Sequence, residues 1–277
     1  MEAPAKVNLF LEILRKRADG YHEIRSLIQA IRLFDTLWIK PGTKGPEIHC
    51  PEHPELENES NLALRAAHLL EREMDRSLPF SVRLFKRIPV GGGLGGGSSD
   101  GAAVLIGLNR LLGDPIPPER LHDLGAQIGS DVPFFLSKQT ALASGRGERI
   151  EPWPDFPGLW YVLIYPGFSI STSWAYGQVK FPLTRIKKTI NIKRLKDVKD
   201  IRAIDFLRND LEEFVTPFHP IIGKIKKALL EQGCLQALMS GSGSAVFGIW
   251  ETRKAARESF LRLKQQGWGE IFLARSL

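Results

Sequence analysis

The feature that most constrains this chain is a run of bare backbone, Gly91-Gly92-Gly93-Leu94-Gly95-Gly96-Gly97, in which six of seven residues are glycine. Glycine loses more conformational freedom on folding than any other residue, so such a run is costly unless a backbone free of side chains is required. Its flanks are strongly patterned. Residues 81–88 read as a strand with Val82, Leu84 and Ile88 on one face, and residues 98–112 read as a helix with Val104, Leu105, Leu108, Leu111 and Leu112 on one stripe. Ser98 or Ser99 is expected to cap the start of that helix and Gly113 to close its end. A strand, a bare loop and a helix N-terminus together make an anion site, because free N–H groups point outward and the helix dipole favours negative charge. The anion that suits such a loop best is a chain of phosphates.

Several familiar phosphate loops are excluded. A Walker A loop ends in Gly-Lys-Ser/Thr, and no lysine lies between Lys86 and Lys138. The pattern G-x-G-x-x-G occurs at Gly91, Gly93 and Gly96, but so many glycines satisfy many patterns. A dinucleotide site expects its loop after the first strand of a βαβ unit. Here a long stretch of chain comes first, and Pro115-Ile116-Pro117-Pro118 follows the helix instead of a strand. A protein-kinase reading fails for want of H-R-D and D-F-G motifs. A flexible linker would be longer and richer in serine, without patterned flanks.

The length of 277 residues accommodates one large or two ordinary domains. Cys50 and Cys234 fit no metal spacing and suggest no disulfide framework, so a reducing cytoplasm is expected. The start of the chain reads directly into a patterned strand with no signal peptide, and no apolar run is long enough to span a membrane. The formal charge of +7 suits a nucleotide or phosphorylated substrate as well as nucleic acid. Much of that excess lies in residues 180–200, which carry eight Lys and Arg residues and a single aromatic, Phe181, at one end. Nucleic-acid binding surfaces interleave aromatics, so this stretch reads as a solvated loop and helix start, and no nucleic-acid partner is expected.

Elsewhere the residues leave alternatives open. Residues 5–14 alternate, with Val7, Leu9, Leu11 and Ile13 on one face and Lys6, Asn8, Phe10 and Glu12 on the other. Lys6 and Asn8 are either a solvent-facing edge or paired members of a site. A turn at Asp19-Gly20 leads through Tyr21 and His22 into a strand over 24–33, followed by short strands over 35–40 and 47–50. Residues 61–74 and 118–127 read as helices, the first capped by Ser60-Asn61. Asp131, after a turn and before Val132-Pro133-Phe134-Phe135, is either a turn or cap residue or a catalytic carboxylate in a partly dry site. Residues 144–148 read as a hairpin turn. Three prolines in residues 151–158 mark the best domain boundary, dividing the chain into 1–152 and 158–277. Beyond it come a strand over 159–165, helices over 201–214 and 217–232, a strand–turn–strand around Ser240-Gly241-Ser242-Gly243-Ser244, and a final helix and strand.

The loop from Pro89 through Val90, Gly91, Gly92, Gly93, Leu94, Gly95, Gly96, Gly97 and Ser98 to Ser99 resembles the ATP loop of the GHMP kinases, the superfamily of galactokinase, homoserine kinase, mevalonate kinase and phosphomevalonate kinase. Its lengthened glycine run is similar to that of the 4-diphosphocytidyl-2-C-methyl-D-erythritol kinase branch. Lys6-Val7-Asn8 with Asp19-Gly20-Tyr21-His22, the octet 128–135, Pro166-Gly167-Phe168-Ser169-Ile170-Ser171-Thr172 and the serine-glycine turn at 240–244 resemble further motifs of that branch, in its order. The resemblance implies an α+β, two-domain fold with a nucleotide-binding N-terminal domain, an α/β C-terminal domain and a cleft between them. It implies ATP-dependent phosphorylation of the 2-hydroxyl of 4-diphosphocytidyl-2-C-methyl-D-erythritol, a step of the non-mevalonate route to isoprenoids. Lys6 and Asp131 would be catalytic, with Asp131 the base. Pro89–Ser99 would bind ATP, with Asn61 near the base. Asn8, Tyr21, His22 and Tyr176 would bind substrate, Tyr176 by stacking on cytosine. Mg²⁺ would ride mainly on the phosphates, with Ser99 as a protein ligand. A monomer or weak homodimer with a small-molecule substrate is expected, and another GHMP kinase of homoserine or mevalonate type is the alternative. Gly101 and Ser244 depart from the family's usual residues, alanine at the first and proline or alanine at the second.

Overall fold

The computed structural model describes residues 1–42, 45–137, 140–153, 155–181 and 207–277. Most of the basic stretch at 180–200 and the first part of the helix expected over 201–214 lie outside them. Two antiparallel-rich sheets lie back to back between two layers of helix.

The first sheet is built on two long strands, β1 (Glu2–Lys16) and β2 (His22–Pro41), paired antiparallel from end to end. The expected strands over 24–33 and 35–40 are one continuous strand. It shares its far edge between β5 (Ala141–Gly145), opposite residues 24–28, and β4 (Phe80–Phe85), opposite residues 36–41. The strand β3 (Glu47–His49) extends this sheet beyond β4, and β6 (Arg149–Pro152) forms a hairpin with β5. The second sheet runs β11 (Glu270–Arg275), β7 (Trp160–Tyr165), β10 (Val246–Trp250), β9 (Ala237–Met239), all antiparallel.

Period-two alternation explains how one strand serves two cores. On β2, Ile28 and Ala30 face helices α1 (Leu62–Met74), α2 (Gly96–Leu111), α3 (Pro118–Ile128) and α4 (Val132–Ser137). Leu27 and Ile31 face the second sheet, where they meet Tyr161, Leu163, Phe247 and Ile249. Gln29 shares that face, and its amide oxygen accepts from the buried Tyr161 hydroxyl. The outer face of the second sheet is covered by α7 (Pro220–Glu231) and α8 (Arg253–Lys264) through Ile222, Ile225, Leu229 and Leu263.

Three local expectations are corrected. The even alternation of β1 breaks where Asn8 pairs with Ile28 but Phe10 with Leu27, a bulge at Leu9. As a result Phe10 joins Val7 and Leu9 between the sheets, and Leu11 turns to the side of Lys6 and Asn8. The helix after the glycines begins at Gly96, not at the serines. Its N-cap is Gly95, with φ +73° and no side-chain cap, so neither Ser98 nor Ser99 caps it. In place of a helix over 201–214, the described part opens with strand β8 (Arg208–Asn209), laid parallel to β1 at Phe10 and Leu11, and continues into the short helix α6 (Glu212–Val215). The first sheet is therefore completed by chain from beyond residue 158. The proline-rich connection is packed as well: Trp153 and Phe156 are buried edge to face between the sheets.

Candidate active site

The glycine run lies at the mouth of a cleft of about 1050 Å³, floored by β1 and β2 and walled by the α2 start, α5 (Thr172–Gly177) and the β9–β10 turn. Its shape is set through its carbonyls. The Val90 carbonyl accepts from the Tyr165 hydroxyl at 3.3 Å, Gly91 from Ile170 N–H at 3.4 Å and Gly92 from Ala245 N–H at 3.1 Å. Gly93 accepts from the Ser240 hydroxyl at 2.9 Å, Leu94 from Lys6 N–H at 2.9 Å and Gly95 from Ser99 N–H at 2.9 Å. Six consecutive carbonyls are turned into the protein. The sign of φ alternates, positive at Gly91, Gly93 and Gly95, an alternation that brings successive N–H groups to one concave side. The N–H groups opening α2 have no helical acceptor of their own. Leu94, 1% exposed between the sheets, is the apolar anchor of the run.

Gly93 shows why side chains are excluded. At φ +77° an added Cβ would lie 2.1 Å from the Ser240 carbonyl oxygen. Gly101 has a related reason. Its Cβ would come 3.2 Å from the Leu62 carbonyl oxygen, so the glycine lets α1 and α2 meet closely. The second departure, Ser244, donates its hydroxyl to the Phe168 carbonyl and ties the β9–β10 turn to the segment before α5.

Lys6 joins the loop to the acid. Its backbone holds Leu94, while its buried ammonium donates to Asn8 Oδ1 at 2.5 Å and lies 3.6 Å from Asp131 Oδ2. Asn8 is fixed in turn by donating to Ser26 Oγ at 2.8 Å, and Ser26 donates to the Phe10 carbonyl at 2.6 Å. Asp131 precedes the buried Phe134 and Phe135 and keeps about a third of its side chain exposed toward the cleft (35%). At the far end His22 stacks on Tyr176 with centroids 5.2 Å apart and on Phe181 at 5.8 Å. Burial and the nearby Lys16 charge lower the His22 pKa, which favours the neutral ring with one donor and one acceptor. Tyr21 lies exposed under the Arg146 guanidinium at 4.7 Å.

Of the residues singled out in the sequence, Lys6, Asn8, Tyr21, His22, Asn61, Pro89 to Ser98, Asp131 and Tyr176 all line this one cleft. Asn61 is the N-cap of α1: its Oδ1 accepts from Ala63 N–H and its Nδ2 donates to the Leu56 carbonyl, both at 2.9 Å. One donor and one acceptor position remain for another group. Ser99 is the exception. Its hydroxyl is buried at 1% exposure, without a hydrogen-bond partner and outside the lining, and Ser98 is the serine that faces the cleft.

Sequence reasoning missed the buried cluster beneath the loop. Lys86 donates to Asp35 and, at 2.8 Å, to Asp100, and Asp35 also accepts from the N–H groups of Arg87 at 2.6 Å and Ile88 at 2.9 Å. The cluster thus fastens both the start of the loop and the first turn of α2. The signal was present: the alternation that puts Val82, Leu84 and Ile88 inside puts Lys86 inside too. Asp100 Oδ1 has no partner, and burial pushes the Asp100 carboxyl up to about 7 despite Lys86.

Two tests follow from this geometry. Gly93→Ala should weaken nucleotide binding at least about tenfold, with a strain cost of about 1–3 kcal/mol in a melt, because either the loop or the β9–β10 turn must move. Unchanged titrations and Tm would show that the loop is not held as described. For Asp100 the folded pKa lies above the unfolded one, so the folded chain holds a proton that the unfolded chain releases between about pH 4 and 7. That contribution is full below about pH 4 and is lost as pH rises to 7. Denaturant melts should therefore show Asp100→Asn gaining stability relative to wild type across this range. A gap moving the other way would mean that Asp100 is ionised throughout.

Comparison with known proteins identifies the family. Residues 61–139 match the GHMP kinases N terminal domain and residues 189–267 the GHMP kinases C terminal domain. The 4-diphosphocytidyl-2-C-methyl-D-erythritol kinase of Citrifermentans bemidjiense is 40% identical over 268 residues, covering 96% of this chain and 95% of that protein. A crystal structure of a 4-(cytidine 5'-diphospho)-2C-methyl-D-erythritol kinase superposes with a TM-score of 0.85 at 34% identity, covering 100% of this chain and 98% of that one. The mevalonate kinase of Methanococcus jannaschii, at 15% identity and a TM-score of 0.73 over 100% of this chain and 98% of its own, shares the fold. The chain has the two-domain GHMP kinase fold and belongs to the 4-diphosphocytidyl-2-C-methyl-D-erythritol kinase family.

Proposed function

We propose that this protein transfers the γ-phosphoryl group of ATP to the 2-hydroxyl of 4-diphosphocytidyl-2-C-methyl-D-erythritol, giving the 2-phosphate and ADP, in non-mevalonate isoprenoid precursor synthesis. The observation that carries the proposal is the Lys6–Asp131 pair, 3.6 Å apart, beside a loop whose carbonyls are all turned away from the cleft. Phosphoryl transfer depends on positioning and charge stabilisation more than on covalent chemistry. The loop and the α2 start offer backbone N–H groups to the phosphates. Asp131 accepts the proton of the attacking hydroxyl, and Lys6, held by Asn8, stabilises the charge on the transferring group.

The reading of the cytosine end rests on His22, whose neutral ring offers a donor and an acceptor, with Tyr21 and Tyr176 supplying aromatic faces and Asn8 a polar contact. Asn61 keeps a donor and an acceptor for the adenine base. Mg²⁺, bound mainly to phosphate oxygens, would neutralise charge on the triphosphate. Among the described residues no group of three or more His, Cys, Asp or Glu could cage it, and of the two serines opening α2 the hydroxyl that faces the cleft is that of Ser98, which replaces the expected Ser99 as the candidate protein ligand. The two buried free cysteines suit a cytoplasmic enzyme, and no helix among the described residues is long and apolar enough to cross a membrane.

The deciding assay offers the purified protein ATP with the cytidylated erythritol, mevalonate or homoserine. Transfer to the first alone is expected, and transfer only to another would reassign the substrate. Asp131→Asn should lower kcat by about two to four orders of magnitude while leaving ATP binding within a few-fold; normal turnover would remove Asp131 from the mechanism. Gly97 separates ligand from fold. Its Cβ would meet only Leu62 Cδ1, at 3.9 Å, so Gly97→Ala should keep Tm and still weaken ATP binding by obstructing the phosphates.

A further inference from the structure

We infer that Asn209 is a positioning residue for this phosphoryl transfer: its one amide group holds the Ser240–Ser244 turn against both the glycine loop and Lys6. The inference rests on the kinase reading above. Asn209 lies on β8, beside Leu11 of β1, and is 5% exposed. Its Nδ2 donates to two carbonyls, Met239 at 2.8 Å and Gly241 at 2.7 Å, and its Oδ1 accepts from Leu211 N–H at 3.0 Å. The strand that carries it is fixed to β1 by its neighbour, because Asp210 Oδ2 accepts from Ile13 N–H at 3.1 Å.

The two carbonyls held by Asn209 flank Ser240, the residue whose hydroxyl holds Gly93. Ser240 also donates its N–H to the Ala245 carbonyl at 2.9 Å, and Ala245 N–H holds Gly92. Gly241 is wedged where the catalytic groups meet. A Cβ there would lie 3.1 Å from the Gly93 carbonyl oxygen, 3.2 Å from Lys6 Nζ and 3.4 Å from Asn8 Oδ1. A shift of this turn therefore moves the phosphate loop and crowds or frees the Lys6 ammonium together. Only a primary amide of this length supplies two donors and an acceptor from one side chain. Aspartate has the same shape but faces two carbonyl oxygens without a hydrogen to give.

Asn209→Asp and Ser240→Ala, alone and together, test this with steady-state kinetics and thermal melts. Wild-type turnover of the cytidylated substrate is established first. If wild type prefers another acceptor, the kinase assignment changes and Asn209 is tested on that acceptor. Asn209→Asp is expected to lower kcat at least tenfold and to raise KM for ATP, with KM for the cytidylated substrate within about threefold of wild type, since His22 and Tyr176 are untouched. The ratio of variant to wild-type kcat should rise as pH falls, because a protonated carboxyl regains one donor. The double variant should lose less than the product of the single losses, because both act through Gly93. If Asn209→Asp does not fold, Asn209→Ser, which keeps one donor, is read the same way apart from the pH ratio. Equal changes in both KM values, or losses that multiply, would reduce Asn209 to a general structural role and overturn the inference.

Discussion

Six consecutive carbonyls between Val90 and Gly95 each find a donor inside the protein, and the rest of the site depends on that. A peptide unit whose oxygen is fixed inward has its N–H directed by the same plane. The cleft owes its row of free N–H groups to bonds made behind it. The energies are finely balanced. Ordering six glycines costs roughly 0.5–1 kcal/mol each beyond alanine, and each net hydrogen bond returns about as much. The loop has no reserve of its own and keeps its form only while the surrounding frame keeps the donors in place. The donor to Gly95 comes from α2 itself and the other five from β1, β7, the segment before α5 and the β9–β10 turn, so the relative position of the two sheets is built directly into the phosphate site.

The shared core secures that position. Val7, Leu9 and Phe10 from the first sheet meet Tyr161, Leu163 and Phe247 from the second in one buried hydrophobic cluster. The bulge at Leu9 makes this compatible with function. Upstream of it Lys6 and Asn8 face the cleft, and downstream Leu11 takes that side while Phe10 fills the core. A strand of strict alternation would have sent Phe10 to the cleft and opened a hole between the sheets. Charge is arranged with similar economy. Lys86 stands between Asp35 and Asp100, so the carboxylate nearest the loop is compensated below it, and Lys6 is left to Asn8 and Asp131.

Much of this could be read from the residues. The strand, glycine run and helix, the helices α1 and α3, and the residues that line the cleft were legible because local pattern and local structure coincide there. The failures have one cause. Serine is the better helix cap by local preference, yet the helix starts at Gly96 because Gly95 is already turned by the bonds of the loop. Residues 208–209 carry no strand signal of their own and become a strand because β1 offers an unpaired edge beside them. Lys86 followed the visible alternation, but its partners are 51 and 14 residues away, and no periodicity reports a buried ion pair at such separations.

The two departures from the family pattern show how tertiary demands override local preference. Glycine at position 101 lowers helix propensity by about 1 kcal/mol, and a larger residue would push Leu62 and the start of α1 away from α2. Asn61 caps α1 at that same point, and its amide lines the cleft, so the helix start and the cleft wall are a single object. Ser244 acts likewise at the other wall. A residue without a hydroxyl would leave the Phe168 carbonyl without its donor, and Phe168 leads into Ile170, whose N–H holds Gly91. In both places the residue that looks inferior along the chain is the one that keeps a wall of the phosphate site at its required distance.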